Sequence, residues 1–137
     1  MLTIEKAAWD VMVAHAESTY PNECCGVMLG KGKTVTEAKA LDNVYVGAQE
    51  DRYEIRPEDL LAADREARKN GLDIVGIFHS HPDCAAYFSK TDLENSCPWY
   101  SFVVLSIEKG KFVNAGSFLP NAEQTEAPEE ELIWPKS

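Results

Sequence analysis

The sequence lacks long apolar runs and contains few basic residues. Its 137 residues include 13 Lys and Arg against 23 Asp and Glu, which gives a formal net charge of −10. This acidic excess argues against nucleic acid or an anionic membrane surface as the main partner. No apolar stretch approaches the ~20 residues that a membrane-spanning helix needs. We therefore expect a soluble protein with neither a membrane nor a nucleic-acid partner.

The N-terminal stretch also lacks the features of a secretory signal. The segment MLTIEKAAWD carries acidic residues and has no basic region before an apolar core. The expected compartment is therefore the cytoplasm, where thiols stay reduced.

The cysteine pattern excludes two common kinds of site. No C-x-x-C pair occurs among the four cysteines, which are Cys24, Cys25, Cys84 and Cys97. A zinc ribbon and a thioredoxin-like motif are therefore not supported. Cys84 follows the last histidine by three residues. Two interpretations stay open for it: a loop residue without chemistry, or a thiol that is redox-active or paired with Cys97.

The remaining pattern predicts one α/β domain of alternating helices and strands. A first helix begins after a Thr3 cap and ends at Pro21, with Ile4, Val11 and other apolar positions on one face. The clearest helix is PEDLLAADREARKNG, with acidic residues in its first turn and basic residues in its last. Strands are predicted at CCGVMLG, TVTEAKAL, DIVGIFHSH and on both sides of a turn at Lys109-Gly110. DIVGIFHSH is apolar on both faces, so it is predicted to be central.

The predicted domain covers residues 1–120. Residues 121–137 form an acidic C-terminal tail that packs on the domain or extends from it, with a solvated run at Glu129–Glu131.

The most informative stretch is HSHPDCAAYFSKTD, which spans residues 79–92. In an extended chain, residues two apart point to the same side, so His79 and His81 face one way at the end of the central strand. Pro82 restricts His81 to extended conformations. Neutral imidazoles are common zinc ligands, and a pair of them needs a third partner.

A serine and an aspartate complete the pattern. Ser89 is a good N-cap for a short helix, and Asp92 then lies in its first turn. Two histidines and one aspartate give three protein ligands and leave the fourth position open, as in catalytic zinc sites. Such a site also needs a base, and Glu23 precedes the first long strand. Glu23 can serve only if that strand lies beside the histidine strand.

These residues resemble the JAMM (MPN-plus) zinc metalloprotease family. The family motif has an upstream glutamate followed by H-[S/T]-H-x7-S-x-x-D, and every position is filled here at that spacing. The resemblance extends over PNECCGVMLG, RYEIRPEDLL and VGIFHSHPD and fades in the tail. It implies an α/β sandwich in which helices flank a curved mixed β-sheet, the JAMM/MPN, cytidine-deaminase-like architecture.

The resemblance also implies roles for these residues. His79, His81 and Asp92 bind one zinc ion per chain. Glu23 acts as general acid and base, and Ser89 donates a hydrogen bond to the oxyanion of the tetrahedral intermediate.

The compact form of the chain is similar to the bacterial and archaeal members of the family. This likeness implies a peptidase or isopeptidase that hydrolyses the amide bond after the C-terminal Gly-Gly of a ubiquitin-like or sulfur-carrier protein. One alternative is a non-catalytic MPN-type scaffold that binds metal and mediates protein–protein interaction. Other metal-dependent classes fit less well, since a cupin, a nucleobase deaminase and an amidohydrolase each need a motif or a length that this chain does not have. The oligomeric state stays open, with a homodimer as one possibility.

Overall fold

The structure is a computed structural model that describes residues 1–135. Helices and strands are numbered in chain order as follows: β1 (Leu2–Ile4), α1 (Lys6–Thr19), β2 (Cys25–Lys31), β3 (Thr34–Leu41), α2 (Pro57–Lys69), β4 (Asp73–Pro82), α3 (Lys90–Glu94), β5 (Ser101–Glu108), β6 (Lys111–Phe118), β7 (Glu129–Glu130) and β8 (Leu132–Ile133). Within the described residues, the strands form one mixed sheet in the order β7-β6-β5-β4-β2-β3-β1-β8.

The histidine strand β4 lies in the middle of this sheet, as the sequence predicts. It pairs in parallel with β5 and antiparallel with β2. Residues from Gly76 to His81 are buried, because sheet neighbours flank the strand and side chains cover both of its faces. The apolar run before His79 therefore reflects burial on both sides of the strand.

The two long helices pack on opposite faces of the sheet. Met28 of β2 contributes to the apolar cluster beneath α1, whereas Val27 and Leu29 contribute to the cluster beneath α2. This division follows from the alternation of side chains along a strand. The predicted sandwich of a mixed sheet between helices is present. None of the helices within residues 1–135 is long and apolar enough to cross a membrane.

The start of the first helix was predicted wrongly. Residues 2–4 form β1, which pairs with β3 and β8, so Thr3 lies in a strand and Glu5 takes the N-cap position. The predicted apolar face was also wrong at Val11, which is 40% exposed. Trp9 and Met12 are buried instead, because tertiary packing against the sheet determines which side of the helix faces inward.

The C-terminal segment bridges the two edges of the sheet. β7 pairs with β6 at one edge, and β8 pairs with β1 at the other. Only one residue separates these strands, so the sheet curves until its edges approach each other. The side chain of Trp134 then stacks on Trp9 with ring centroids 5.3 Å apart.

The expectation of a solvated acidic run at Glu129–Glu131 was wrong for Glu130. Its side chain is only 5% exposed. Its carboxylate accepts hydrogen bonds from Ser101 Oγ at 2.7 Å, Ser117 Oγ at 2.8 Å and Lys33 Nζ at 3.0 Å. The division of the chain at residue 120 stays a prediction, and residues 136–137 of the predicted tail lie outside the described residues.

Candidate metal centre and catalytic site

His79 and His81 lie at the end of β4, with their imidazoles on the same side of the strand. Both side chains are buried, and their Nε2 atoms are 3.3 Å apart. The two-residue spacing and the extended backbone produce this convergence directly.

Asp92 reaches the same point from the short helix α3. Ser89 Oγ accepts the Asp92 backbone N–H at 3.0 Å, and the Asp92 carboxylate accepts the Ser89 backbone N–H at 3.0 Å. This reciprocal capping box fixes the first turn of the helix and aims the carboxylate inward. Asp92 Oδ2 lies 3.1 Å from Nε2 of His79 and 3.1 Å from Nε2 of His81.

The three donor atoms fit a zinc ion. Ligands at the usual zinc distances of ~2.0–2.2 Å in tetrahedral geometry lie about 3.3–3.5 Å apart. The separation of 3.3 Å between the two Nε2 atoms lies within this range, and the two separations of 3.1 Å to Asp92 Oδ2 are slightly shorter. These residues also form a cluster whose potential ligand atoms all lie within 4.8 Å of one another. The predicted ligand set is thus brought together by the fold, while its use as a ligand set stays a prediction.

The protonation states of these groups also suit metal binding, which needs neutral imidazole and ionised carboxylate. Burial lowers the pKa of His79 and so favours the neutral ring. Burial opposes ionisation of Asp92, but the neighbouring imidazoles outweigh it and hold the pKa of this carboxyl below its usual value. His81 Nδ1 lies 3.0 Å from the Ala85 carbonyl, so a proton on Nδ1 donates to that oxygen and leaves Nε2 free to bind metal.

Glu23 lies beside the centre because β2 pairs with β4, the adjacency that its predicted role requires. Cys25 is the register partner of His79, and Cys24 donates its backbone N–H to Ser80 Oγ at 2.8 Å. Glu23 directly precedes Cys24, and it lies close enough to Asp92 for the two charges to interact. Burial, and then the charges of Asp92 and Asp51, raise the pKa of Glu23 to about 9.

Among the described residues, the Glu23 carboxyl has an unfilled hydrogen-bonding position. Its Oε1 atom is buried and has no hydrogen-bond partner within residues 1–135. A buried carboxyl without a partner is unfavourable unless something else occupies the site, such as a ligand. This position suits the predicted role of acid and base, which itself stays a prediction.

Ser89 has a visible structural role. Its side chain caps α3 and thereby orients Asp92. A hydroxyl that accepts one hydrogen bond still has its own proton to donate. Capping and the predicted oxyanion role are therefore compatible, and the oxyanion role stays a prediction.

Sequence reasoning missed the aromatic ring beside the histidines. Tyr53, in the connection between β3 and α2, stacks on His79 with centroids 4.6 Å apart and an interplanar angle of 28°. Its segment, RYEIRPEDLL, was noted only as part of the family resemblance. No periodicity in that segment indicates a contact with a residue 26 positions further along the chain.

Tyr53 also lines an apolar groove, which therefore lies next to the ring that stacks on His79. The groove has a volume of about 320 Å³ and is walled mainly by Tyr53, Ile55, Leu60, Ile77, Tyr100 and Phe102. Tyr53 thus connects this groove with the candidate metal centre.

The cysteines take no part in the candidate metal site. Cys24 and Cys25 are buried, and burial raises the pKa of the Cys25 thiol. Cys84 is exposed and Cys97 half-buried, and both are free thiols in the described residues, so they are not paired here. Redox activity of Cys84 stays a prediction.

The family whose profile matches this chain is described as prokaryotic homologues of the JAB domain. The match covers residues 5–117 and includes every candidate site residue. The chain belongs to this family. Membership confirms the prediction of a compact prokaryotic JAMM-type protein.

Two relatives of this prokaryotic JAB-domain chain carry the name desampylase. The one from Pyrococcus furiosus is 36% identical over 66% of this chain and 63% of its own length. The one from Haloferax volcanii is 35% identical over 77% of this chain and 80% of its own length. The chain thus spans less than two thirds of the first relative, and both agree with the prediction of a JAMM-type hydrolase.

Solved structures confirm the fold. A protein from Desulfitobacterium hafniense matches with a TM-score of 0.83 and 32% identity, covering 100% of this chain and 94% of that one. A JAB1/MPN domain protein from Archaeoglobus fulgidus matches with a TM-score of 0.64 and 14% identity, covering 99% of this chain and 98% of that one. The second likeness shows the fold alone, which is the predicted JAMM/MPN sandwich.

Proposed function

We propose that this protein is a zinc-dependent peptidase or isopeptidase that hydrolyses the amide bond after the C-terminal Gly-Gly of a ubiquitin-like or sulfur-carrier protein. The convergence of His79, His81 and Asp92 beside the buried carboxyl of Glu23 is the observation that carries the proposal. The desampylase relatives support the proposed hydrolysis, because their name denotes an enzyme that detaches a group from its conjugate. We propose one zinc ion per chain.

His79, His81 and Asp92 would hold the metal and leave one side open to substrate. Bound zinc would supply a Lewis acid that polarises the scissile carbonyl and acidifies a water molecule. Positive charge held by His79, His81 and Asp92 would favour the ionised form of Glu23, which would take the proton from the attacking water and later give it to the departing amine. Ser89 donates its hydroxyl proton to the oxygen that becomes negative in the tetrahedral intermediate.

The apolar groove beside Tyr53 would take the C-terminal tail of the carrier. An extended chain advances ~3.3 Å per residue, so a few tail residues would fill it before the scissile bond reaches the metal centre. Glycines at the last two positions suit the end next to Tyr53, because they bring no side chain against the aromatic ring there.

Cleavage of defined substrates tests the proposed reaction. Gly-Gly carriers from the same genome are extended by one residue, fused to a protein, or joined to a lysine side chain, and then incubated with zinc-loaded protein. Intact mass should show loss of everything after the second glycine and gain of one water. A carrier whose last glycine is changed to valine is the matched control and should resist cleavage. Zinc-loaded protein that cleaves none of the three substrates but still binds carriers would favour the scaffold alternative.

Ser89→Ala separates capping from catalysis. Loss of the cap should cost about 1 kcal/mol of stability. Loss of the oxyanion donor should lower kcat roughly 10²- to 10³-fold in fully metallated protein while KM changes little. The measurement is kcat at saturating zinc together with a thermal melt. Near-normal kcat in the zinc-loaded variant would leave Ser89 as a cap only.

Three further expectations remain proposals. The carrier partner and its Gly-Gly end rest on the family resemblance and on the groove. The cytoplasmic compartment rests on the sequence. A homodimer is one possibility for the oligomeric state.

A further inference from the structure

The two histidines of the metal centre are held in different ways. His81 Nδ1 lies 3.0 Å from the Ala85 carbonyl. His79 Nδ1 is buried and has no hydrogen-bond partner within residues 1–135. Histidines that bind metal almost always donate their second N–H to an acceptor, which fixes the ring orientation. The orientation of His79 therefore depends on some other contact.

The ring of Tyr53 provides that contact. It stacks on His79 at 4.6 Å with an interplanar angle of 28°, whereas Phe88 is further away at 6.5 Å and is tilted by 57°. The torsion between Cβ and an aromatic ring has broad energy wells, so a free imidazole turns easily. Turning the His79 ring out of the stack would push its edge into the face of Tyr53. The stack thus fixes the plane of the His79 ring, which a hydrogen bond from Nδ1 would otherwise do.

Tyr53 is itself fixed on both sides by one amide side chain. Asn43 Nδ2 donates to the Arg52 carbonyl at 3.0 Å, and Asn43 Oδ1 accepts the Glu54 N–H at 3.1 Å. The same Nδ2 donates to the Glu23 carbonyl at 3.0 Å. Asn43 therefore ties the backbone around Tyr53 to the residue proposed as the base.

We propose that Tyr53 is a positioning residue whose ring holds the His79 imidazole with Nε2 directed at the metal, in place of the Nδ1 hydrogen bond that the described residues do not supply. This inference rests on the metal site in the proposed function. The face of the ring performs the role, so the Tyr53 hydroxyl is dispensable for it.

Zinc affinity tests this role independently of turnover. The dissociation constant is measured on the full chain by competition with a chromogenic zinc chelator. Tyr53→Leu should weaken zinc binding roughly 10- to 100-fold, the usual cost of losing a group that orients a ligand. Tyr53→Phe keeps the ring and should bind zinc as tightly as the wild type. Tyr53→Met fills the space without a planar ring and should behave like the leucine variant.

Tyr87 offers a matched control. Its ring contacts His81 edge-on at 5.1 Å, but His81 keeps the hydrogen bond to Ala85. Tyr87→Leu should therefore leave zinc affinity nearly unchanged. Equal weakening by Tyr87→Leu and Tyr53→Leu would overturn the inference, as would weakening by Tyr53→Phe as large as that by Tyr53→Leu.

The outcomes also separate this inference from the proposed function. Wild-type protein that binds no zinc would reject both. Wild-type protein that binds zinc, with folded Tyr53→Leu or Tyr53→Met binding it equally well, would reject only the role of Tyr53. Far-UV circular dichroism shows which variants are folded, and the half-buried position of Tyr53 in a connecting segment favours folding of both.

Discussion

Replacing Glu23 with Gln is expected to reduce turnover roughly 10²- to 10⁴-fold, the range that a general acid–base contributes. The amide has nearly the same shape but cannot take a proton from water. Zinc should remain bound, because the predicted ligands are His79, His81 and Asp92. The measurements are kcat on a Gly-Gly fusion and the zinc content of the same sample.

A neighbouring acid serves as the control for this substitution. Glu50 is exposed and lies in the connection that packs beside Glu23. Glu50→Gln makes the same carboxyl-to-amide change without removing the proposed base, so its turnover should stay near that of the wild type. Loss of zinc together with activity in Glu23→Gln would instead make Glu23 a ligand, contrary to the role proposed here.

The same substitution has a second readout in zinc-stripped protein. Burial raises the pKa of Glu23 to about 9 in the folded chain, whereas an unfolded chain loses this proton near the ordinary value of 4.5. Between these values the unfolded state binds fewer protons, so folding stability falls as the pH rises. Glu23→Gln removes this dependence.

Urea unfolding at about pH 5.5 and about pH 8.5 measures the effect. The wild type should lose more stability than Glu23→Gln between the two conditions. An equal loss in both proteins would show that Glu23 ionises normally in the folded state.

Removal of both histidines should abolish zinc binding. In His79→Ala with His81→Ala, only Asp92 remains of the three predicted ligands, and one carboxylate does not hold zinc tightly. We expect zinc content to fall from about one ion per chain to below about 0.1 in protein purified without added metal. Metal analysis by mass spectrometry gives both values.

The chain contains its own control for this experiment. His15, the third histidine, lies on α1, and its Nε2 is 3.4 Å from the Leu41 carbonyl. His15→Ala should keep zinc at the wild-type level. Full zinc occupancy in the double variant would mean that the metal is bound elsewhere, and the proposed centre would be wrong.

The local parts of the site could be predicted from the sequence because short-range geometry determines them. The two-residue spacing of His79 and His81 on a strand puts both rings on one side. The S-x-x-D spacing of Ser89 and Asp92 forms a capping box within four residues. The helix α2 begins at Pro57 as predicted and ends at Lys69, close to the predicted end before Gly71, because Pro57 and the charged ends mark these points within the helix itself. In each case the deciding contacts join residues close together in the chain.

Other features needed the tertiary structure, because distant segments decide them. Glu23 reaches the centre only through the pairing of β2 with β4, which joins Cys24 to Ser80 across 56 residues. Tyr53 meets His79 only after its connection folds over the sheet.

The same reasoning explains two of the wrong expectations. Residues 2–4 have an apolar pattern that fits a helix start, but the exposed edge of β3 pairs with them as a strand. From the sequence, Glu130 is expected to belong to a solvated acidic run. In the structure, the curvature of the sheet brings Ser101, Ser117 and Lys33 around its carboxylate. The sequence by itself thus determined the ligand spacing, the capped first turn of α3 and the family. Only the folded sheet decided that Glu23 and Tyr53 lie beside the histidines and that the C-terminal segment joins the sheet edges. The reason is that strand pairing and sheet curvature depend on contacts between residues far apart in the chain.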